Sequence, residues 1–347
     1  MYPALAVHSA LSAKVADLDT LWVGGEGGME ESLVKRQGIT FQSIPAAGVH
    51  GVGLVTLPRN RATIGRGVLA ARRILGEFKP DAMFFTGGYV AVPVALAGRS
   101  IPSMLYVPDI EPGMALKSLA GFSDVIAVTT AESQKFFNKK VFEMGYPLRP
   151  DLALWDRSTA HRHLGISGER PSLLVFGGSK GARTINMAVL NSLRPLLEKF
   201  EIIHLTGELD WNLVRHNREQ LPMDLAARYH AMPYLHDMGA ALAAADLVLS
   251  RAGASSLGEF PLFGLPAILV PYPHAWRYQK VNADHLARRG AAVILEDHLL
   301  DKDLMSTLTV LLENPNKLKA MRAAMFELSH PRAAEKIASA LIKLAGD

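Results

Sequence analysis

Residues 173–186 are LLVFGGSKGARTIN, a buried apolar strand that leads into a glycine-rich turn and then a helix. The glycines permit a tight turn and close approach of the backbone to a ligand. The free N–H groups and positive dipole end of the helix suit a diphosphate, to which Ser179 could add a hydroxyl and Lys180 a charge. A plain structural turn is an equally good interpretation of this stretch alone. Its spacing matches neither a P-loop nor the GxGxxG pattern.

Short apolar runs alternate with helical patterns along the whole chain, which predicts two series of strands, each forming a parallel sheet covered on both faces. The first series of predicted strands is 20–23, 41–44, 82–85, 103–107 and 125–128, with helices at 29–37, 62–77, 90–98 and 131–138. The second series of predicted strands is 172–176, 202–205, 229–232, 247–250, 267–270 and 292–295.

The proline-containing stretch GYPLRPDLALWD (145–156) separates the two series and predicts a linker. We expect an N-terminal domain of residues 1–148 and a C-terminal domain of 149–330, with an amphipathic helix over 331–347 packing back on the first. The fold class is therefore α/β, with two Rossmann-like, doubly wound domains. Ligands of such sheets lie beyond the carboxyl ends of the strands.

The composition is that of an ordinary globular protein, with 347 residues of which 20% are charged. The absence of cysteine excludes disulfide scaffolds, thiolate metal sites and cysteine nucleophiles. No apolar run reaches the length needed to cross a membrane. We interpret the Asp-x-Asp pairs at 17–19 and 301–303 as chance matches, and expect no cofactor, bound metal or nucleic-acid partner.

A second strand–turn–helix unit is LVLSRAGASSLGEFP (247–261). Its small residues permit close contact at another helix N-terminus. Glu259 stands in an otherwise apolar helix, where a carboxylate needs partners, and the two hydroxyls of a ribose would supply them. A solvated or salt-bridged glutamate is the alternative. We expect Pro261 to end this helix.

A third region, PYPHAWRYQKVNADHLARRG (271–290), follows a strand and begins a polar helix. Gln279 and Asn282 are three residues apart and share a helix face. Their amides both donate and accept hydrogen bonds, which suits sugar hydroxyls. An ordinary surface helix is the alternative.

Taken in order, strand-GGSxGA, RAGAxxxxE and PxPxAxxxxQxxNA resemble the bacterial MurG glycosyltransferases of family 28. Further matching segments are YPALAV (2–7), GGMEESLVKRQGI (27–39), FFTGGYVAVPVALAG (84–98) and GYPLRPD (145–151). The resemblance implies a GT-B fold, in which the two domains face a cleft. It also implies inverting, metal-independent transfer of N-acetylglucosamine from UDP-N-acetylglucosamine to a lipid-linked muramoyl-pentapeptide, for peptidoglycan synthesis at the cytoplasmic face of the bacterial membrane.

The resemblance also implies roles for individual residues. Leu235 would contact uracil, Glu259 the ribose, and Gln279 with Asn282 the sugar. The expected UDP-sugar contacts are Arg149, Gly178, Ser179, Leu235, Ala254, Ser255, Ser256, Leu257, Gly258, Glu259, Gln279 and Asn282. On the acceptor side the expected residues are Gly87, Gly88, Tyr89 and Asp109.

The segment LYVPDIEPGMALK (105–117) departs from the family, which usually has an H-E-x-N-type segment here. Asp109 and Glu111 supply two carboxylates, and one of them is a candidate general base. In the alternative interpretation, Asp109 caps the helix that begins near Gly113 or lies in a turn.

The segment TLPRNRATIGRGVLAARRILGEFK (56–79) interleaves basic and apolar side chains, a pattern typical of docking on an anionic membrane. The candidate residues are Arg59, Arg61, Ile64, Arg66, Leu69, Arg72 and Arg73. A solvated helix packed on the sheet is the alternative.

In the family, a buried strand and a G-G-T-G-G-H loop precede YPALAV, whereas this sequence begins at Met1-Tyr2-Pro3. We expect the DNA upstream of Met1 to encode such a strand and loop in frame. Three other functions stay open at this point: a UDP-N-acetylglucosamine 2-epimerase, another lipid glycosyltransferase, and an inactive truncated form. A nicotinamide dehydrogenase is disfavoured by the glycine spacing in LWVGGEGGMEE (21–31).

Overall fold

The computed structural model describes residues 1–28, 30–47, 57–178, 180–274 and 278–346, without the side chains of residues 57–59 and 61. The chain forms two compact units. One comprises Met1–Arg149 with Pro331–Asp347, and the other comprises Pro150–His330.

The first unit contains two parallel sheets. Its strands are β1 (Leu21–Gly25), β2 (Thr40–Ile44), β3 (Met83–Phe85), β4 (Ser103–Val107), β5 (Val125–Val128) and β6 (Val141–Glu143). β1 pairs with β2, while the other four strands form a sheet in the order β3-β4-β5-β6. The first series of strands thus lies in two sheets rather than one. β6 escaped the sequence analysis because it is an edge strand without buried residues.

Helices connect these strands. They are α1 (Tyr2–Ser12), α2 (Glu30–Arg36), α3 (Leu57–Phe78), α4 (Ala91–Ala97) and α5 (Met114–Ala120), with a 3₁₀ segment at Ala131–Phe136. The expected helix at 131–138 is therefore a shorter 3₁₀ turn. Its first N–H groups are partly satisfied by the hydroxyl of Thr130, which accepts from the backbone of Glu132.

The second unit is built on one six-stranded parallel sheet. Its strands are β7 (Ser172–Phe176), β8 (Glu201–Leu205), β9 (Tyr229–Met232), β10 (Leu247–Ser250), β11 (Ala267–Leu269) and β12 (Ala292–Ile294). Their order is β12-β11-β10-β7-β8-β9. β8 and β10 are buried along their whole length, as central parallel strands are when helices cover both faces. The α/β class with parallel sheets is confirmed.

The helices of this unit alternate with its strands. They are α6 (Arg157–Leu164), α7 (Arg183–Asn191), α8 (Leu193–Lys199), α9 (Trp211–Glu219), α10 (Met223–Ala226), α11 (Met238–Ala244), α12 (Ser256–Phe263), α13 (Tyr278–Arg288), α14 (Leu300–Leu312) and α15 (Pro315–Glu327). Two 3₁₀ segments lie at Pro150–Leu154 and Asp297–Leu299.

The last helix, α16 (Ala333–Gly346), belongs to the first unit and packs beside α1. Val7 of α1 and Ile337 and Leu341 of α16 form one buried cluster with Met104 and Tyr106 of β4. Burial of these apolar side chains fixes both helices on one face of the four-stranded sheet. Among the described residues, no helix has the length and hydropathy required to span a membrane.

A buried chain of hydrogen bonds holds α7 against the sheet of the second unit. His204 lies 2.7 Å from the hydroxyl of Tyr229 through Nδ1 and 3.0 Å from Oδ1 of Asn186 through Nε2. Asn186 Nδ2 donates to Oδ2 of Asp210 over 2.9 Å, and Arg183 Nη1 lies 2.5 Å from Oδ1 of the same carboxylate. The chain therefore links β9 and β8 to the first turn of α7.

The direction of each bond follows from its neighbours. Because the amide nitrogen of Asn186 donates to Asp210, its oxygen must face His204 and accept from Nε2–H. Nδ1 of His204 is then the acceptor for the Tyr229 hydroxyl. This neutral tautomer agrees with complete burial, which lowers the pKa of His204 to about 3.

His204 should therefore make the fold acid-sensitive. Its ordinary pKa is about 6.5, so below that pH the unfolded chain takes up a proton that the folded chain refuses. The free energy of unfolding should fall by up to about 1.4 kcal/mol per pH unit as the pH drops below 6.5. The variant His204→Gln should be less stable at pH 7 and should lack this contribution. Urea denaturation at pH 7, 6 and 5 would measure both effects.

The exposed His216 of α9 provides a matched control. His216→Gln should keep the pH dependence of the wild type, whereas the stability difference between wild type and His204→Gln should shrink as the pH falls. Parallel pH profiles for wild type and His204→Gln would show that His204 is not the group responsible.

Candidate functional site

The strand order of the second unit creates a switch point. The chain runs from β7 to β8 and β9 on one side, then returns to place β10 on the other side of β7. Ligands of open α/β sheets bind in the crevice that such a reversal leaves at the carboxyl ends of the strands. The glycine-rich turn and the RAGA loop follow β7 and β10, the two strands that flank this point.

The glycine turn after β7 packs tightly against neighbouring backbone at Gly177 and Gly181, whereas Gly178 faces open space. A Cβ on Gly177 would lie 2.3 Å from the backbone nitrogen of Ala182, and one on Gly181 would lie 2.2 Å from the carbonyl oxygen of Thr206. Gly178 has a φ of +92°, and a Cβ there would meet nothing within 4 Å. The turn therefore offers its backbone to a ligand at Gly178. The expected contact at Ser179 lies outside the described residues.

The loop after β10 is open in the same way. A Cβ on Gly253 would meet no atom within 4 Å. Ser256 donates its hydroxyl to the carbonyl of Gly253 over 2.6 Å, and Asn282 Nδ2 donates to the carbonyl of Ala252 over 3.2 Å. Both side chains are buried and brace the loop from behind. The structure thus uses the amide nitrogen of Asn282 to hold the loop, where the sequence suggested a sugar contact.

The start of α12 mixes accessible and buried residues. Ala254, Ser255 and Glu259 are half-buried, whereas Gly258 and the Leu257 side chain are buried. The expected contacts at Leu257 and Gly258 therefore fall on buried positions, which leave little surface for a ligand. Glu259 lies in the first turn of the helix, six residues after the open Gly253.

The expectation that Pro261 ends this helix is wrong. α12 continues to Phe263, with Pro261 inside it. An interior proline loses its own N–H bond and crowds the carbonyl four residues before it, but its fixed φ is helical, and burial of Leu257 and Phe260 offsets this cost in α12. The helix ends at Gly264, whose φ of +55° forms a left-handed cap, and the N–H of Leu265 returns to the carbonyl of Phe260 over 2.9 Å.

A network that sequence reasoning missed connects three loops of this edge. Arg251 forms an ion pair with Asp297 and donates to the hydroxyl of Thr184 over 2.8 Å and to the carbonyl of Val270 over 3.1 Å. Thr184 in turn donates to Asp297 over 2.9 Å. The guanidinium also lies 5.2 Å from the ring centroid of Tyr272. The available signal in the sequence was Arg251, a charged residue directly after a strand. Its partners could not be predicted because they lie far from it along the chain.

Gln279 has a fixed orientation. Its Oε1 accepts from the backbone N–H of Tyr272 over 2.8 Å, and a backbone N–H can only donate, so the oxygen must be the atom on that side. The amide nitrogen therefore points away from Tyr272. Leu235, the expected uracil contact, is half-buried in the loop after β9, between Tyr234 and His236, whose rings meet edge-to-face at 5.0 Å.

In the first unit, the turn after β3 requires glycine. Gly87 and Gly88 have φ values of +105° and +90°, which side-chain-bearing residues rarely adopt. Tyr89 follows with 52% of its surface exposed. These three expected acceptor-side residues thus form a tight turn that presents an aromatic ring to solvent at the carboxyl end of β3.

The two candidate carboxylates follow β4. Asp109 is half-buried, and Glu111 is only 8% exposed, so Asp109 has the better access to an acceptor. The N-cap of α5 is Gly113. Asp109 therefore does not occupy the cap position itself, which lies four residues further along the chain.

Two other predicted groups lie elsewhere on the first unit. The guanidinium of Arg149 lies 5.1 Å from the ring centroid of Tyr2. On α3, the side chains of Arg59 and Arg61 are outside the described residues. Of the other members of the predicted basic patch, Ile64 is half-buried and the rest are exposed; these are Arg66, Leu69, Arg72 and Arg73.

The exposed members share one helix face. Positions 66, 69, 72 and 73 recur at helical spacing, and Leu69 exposes 66% of its surface between basic neighbours. Arg73 also pairs with Glu77 over 2.9 Å. In the part of the chain that the structure describes, no group of three or more acidic or histidine side chains is arranged to hold a metal ion.

Comparison with known families covers both units. A model of the N-terminal domain of glycosyltransferase family 28 matches residues 1–127, and a model of the C-terminal domain of the same family matches residues 172–337. The crystal structure of Acinetobacter baumannii MurG superposes with a TM-score of 0.79 at 26% identity, covering 99% of this chain and 95% of that chain. A UDP-GlcNAc 2-epimerase from Neisseria meningitidis bound to UDP-GlcNAc superposes with a TM-score of 0.68 at 12% identity, covering 99% and 98%, which shows a shared fold alone.

Relatives in sequence cover the whole chain. A protein of Roseiflexus sp. (strain RS-1), named UDP-N-acetylglucosamine--N-acetylmuramyl-(pentapeptide) pyrophosphoryl-undecaprenol N-acetylglucosamine transferase, is 39% identical over 97% of this chain and 91% of its own. A protein of the same name from Desulforudis audaxviator (strain MP104C) is 37% identical over 100% of this chain and 95% of its own. From both domain models and these relatives, the chain belongs to glycosyltransferase family 28.

Proposed function

We propose that the protein transfers N-acetylglucosamine from UDP-N-acetylglucosamine to a lipid-linked muramoyl-pentapeptide, a step of peptidoglycan synthesis. The observation that carries this proposal is the full-length similarity to relatives named for that reaction, at 37% and 39% identity. The open glycine loops at the switch point of the second unit support a nucleotide as the donor.

In the proposed donor site, the diphosphate lies against Gly178 and the N-termini of α7 and α12. Free N–H groups and helix dipoles stabilise negative charge there without a metal. The main chain at Leu235 contacts uracil, and the carboxylate of Glu259 accepts hydrogen bonds from the ribose hydroxyls. Gln279 turns its amide nitrogen towards sugar oxygens, because its own oxygen is held by Tyr272.

In the proposed reaction, the acceptor hydroxyl oxygen attacks the anomeric carbon as the bond from that carbon to the diphosphate breaks. Asp109 takes the hydroxyl proton, and attack from the face opposite UDP inverts the anomeric configuration. The turn at Gly87, Gly88 and Tyr89 contacts the acceptor. Arg149 lies beside the linker to the donor-binding unit, and we assign it a supporting contact to the UDP-sugar.

The proposal predicts acceptor-dependent release of UDP. With UDP-N-acetylglucosamine and a lipid-linked muramoyl-pentapeptide, the protein should form a disaccharide-lipid product and one UDP per product, measured by chromatography. With donor alone it should release no UDP and form no new UDP-sugar. A new UDP-sugar without acceptor would indicate an epimerase, and transfer to a different lipid would indicate another acceptor class.

The same assay tests the base. Asp109→Asn keeps the shape of the side chain but removes its basicity, so turnover should fall by at least about a hundredfold while UDP affinity changes little. Asp81→Asn, at an exposed position before β3, is the matched control and should behave as the wild type. Full turnover by Asp109→Asn would show that another group is the general base.

Glu259→Ala should weaken UDP binding at least tenfold, because charge-assisted hydrogen bonds to the ribose contribute roughly 1.5–3 kcal/mol each. The wild type should bind UDP more tightly than 2′-deoxy-UDP, and the variant should lose this preference. Calorimetric titration with both nucleotides measures the difference directly.

The control is Glu219→Ala on the exposed face of α9, which removes the same charge and should leave both affinities unchanged. If Glu259→Ala still prefers UDP over 2′-deoxy-UDP, the carboxylate of Glu259 does not bind the ribose.

We further propose that the first unit docks on the cytoplasmic face of the cell membrane through α3. A lipid-linked acceptor has to be met at the bilayer surface, and Arg66, Leu69 and Arg72 offer charge and apolar area on one exposed face. Basic residues near an anionic surface contribute about 1 kcal/mol each.

Binding to phosphatidylglycerol vesicles should therefore weaken as salt rises. The double variant Arg66→Glu/Arg72→Glu should bind at least about tenfold more weakly at low salt, since two attractive charges become repulsive. The double variant Lys317→Glu/Lys319→Glu, on exposed positions of α15, makes the same charge change and should bind as the wild type. Equal losses in both variants would mean that net charge, rather than the α3 face, drives binding.

A further inference from the structure

Three cations flank the switch point of the second unit, and two of them are paired. Arg183, at the start of α7, holds the buried carboxylate of Asp210 over 2.5 Å. Arg251, after β10, holds Asp297, which is only 17% exposed. Each of these guanidinium groups therefore already has its positive charge partly neutralised by a carboxylate of the protein.

The third cation, Lys180, has a different environment. It is exposed and lies in the glycine turn itself, two residues after the open position Gly178. Within the part of the chain that the structure describes, Lys180 forms no ion pair. Among the described residues, therefore, no carboxylate neutralises its positive charge.

The main chain of Lys180 is held in place by close contact with a neighbouring loop. A Cβ on Gly207, in the loop after β8, would lie 2.7 Å from the carbonyl carbon of Lys180 and 2.6 Å from the nitrogen of Gly181. The N–H of Gly181 also closes the turn onto the carbonyl of Gly178 over 3.0 Å. The backbone from which the Lys180 side chain extends is therefore fixed beside the open position Gly178.

We propose that the ammonium group of Lys180 binds the diphosphate of the donor nucleotide and neutralises the charge that develops on the leaving group. This inference rests on the proposed function of the same site. Lys180 would then supply electrostatic stabilisation that Arg183 and Arg251 supply less well, because their charges are already paired with carboxylates. An ammonium on a flexible stem can follow the terminal phosphate as the bond to the sugar lengthens.

The step balances without a change in the lysine. The acceptor oxygen forms a bond to the anomeric carbon, and the bond from that carbon to the terminal phosphate oxygen breaks. The bonding electrons leave with UDP, whose terminal phosphate gains one negative charge, and the hydroxyl proton passes to a carboxylate. Lys180 stays protonated throughout, so its contribution should be larger in the transition state than in the bound donor.

The test measures separately how much the phosphates and the nucleoside contribute to binding affinity. Calorimetric titrations with uridine, UMP and UDP would be made on the wild type, Lys180→Gln and Lys180→Arg. Lys180→Gln should bind uridine as the wild type does but bind UDP about five- to twentyfold more weakly, as expected for a partly solvated charge contact. Lys180→Arg should recover most of the UDP affinity. In the transfer assay, kcat of Lys180→Gln should fall by more than its UDP affinity does.

Lys199→Gln is the matched control. Lys199 ends α8, directly before β8, and therefore lies at the opposite edge of the sheet, where it pairs with Glu313 over 2.6 Å. It makes the same change in net charge and should leave all three affinities unchanged. Uridine binding also reports that each variant is folded at the nucleotide site.

The outcomes separate two failures. If the wild type binds UDP and Lys180→Gln binds it equally well, the role of Lys180 is refuted while the proposed donor site stands. An equal loss of uridine and UDP affinity would also refute it, because the lysine would then support the turn. If the wild type binds no UDP at all, the proposed function fails and this inference fails with it.

Discussion

The position of the candidate donor site depends on contact between two stretches of main chain. Gly181 and Gly207 approach so closely that a Cβ on either would overlap the backbone of the opposite loop, at 2.2 Å and 2.6 Å. Their φ values of +77° and +76° also require glycine. The turn after β7 is therefore set directly on the end of β8. This contact therefore also fixes where α7 begins and where its first N–H groups lie.

Side chains then hold the first turn of α7 from both sides of the switch point. Arg183 connects it to Asp210 beside β8, and Thr184 connects it to Arg251 beyond β10 and to Asp297 beyond β12. Because these partners follow different strands, a shift of α7 would break bonds in both halves of the sheet. The rigidity that electrostatic stabilisation of a leaving group needs is thus built into the fold around the open turn.

The sequence predicted the central strands of the second unit well because they are continuous apolar runs. Ser172–Phe176 and Leu247–Ser250 have the expected bounds. It could not predict the order of the strands, and hence the switch point, since order depends on long-range packing. The same limit applies to side chains. Asn282 and Gln279 look alike in sequence, yet Asn282 is fully buried against a carbonyl 30 positions away, while Gln279 is half-buried.

The two edges of the six-stranded sheet use their polar groups differently, and this contrast bears on where a ligand can bind. At the amino edge, Glu201 accepts hydrogen bonds from the backbone and hydroxyl of Ser167 and lies 3.1 Å from His230. Asp246 there receives both terminal nitrogens of Arg157 at 2.8 Å. These carboxylates are satisfied within the fold and connect loops. At the carboxyl edge, ion pairs likewise hold the loops, but the backbone at two glycines stays open. The accessible main chain therefore lies at the carboxyl edge, while the carboxylates of the amino edge connect loops of the fold.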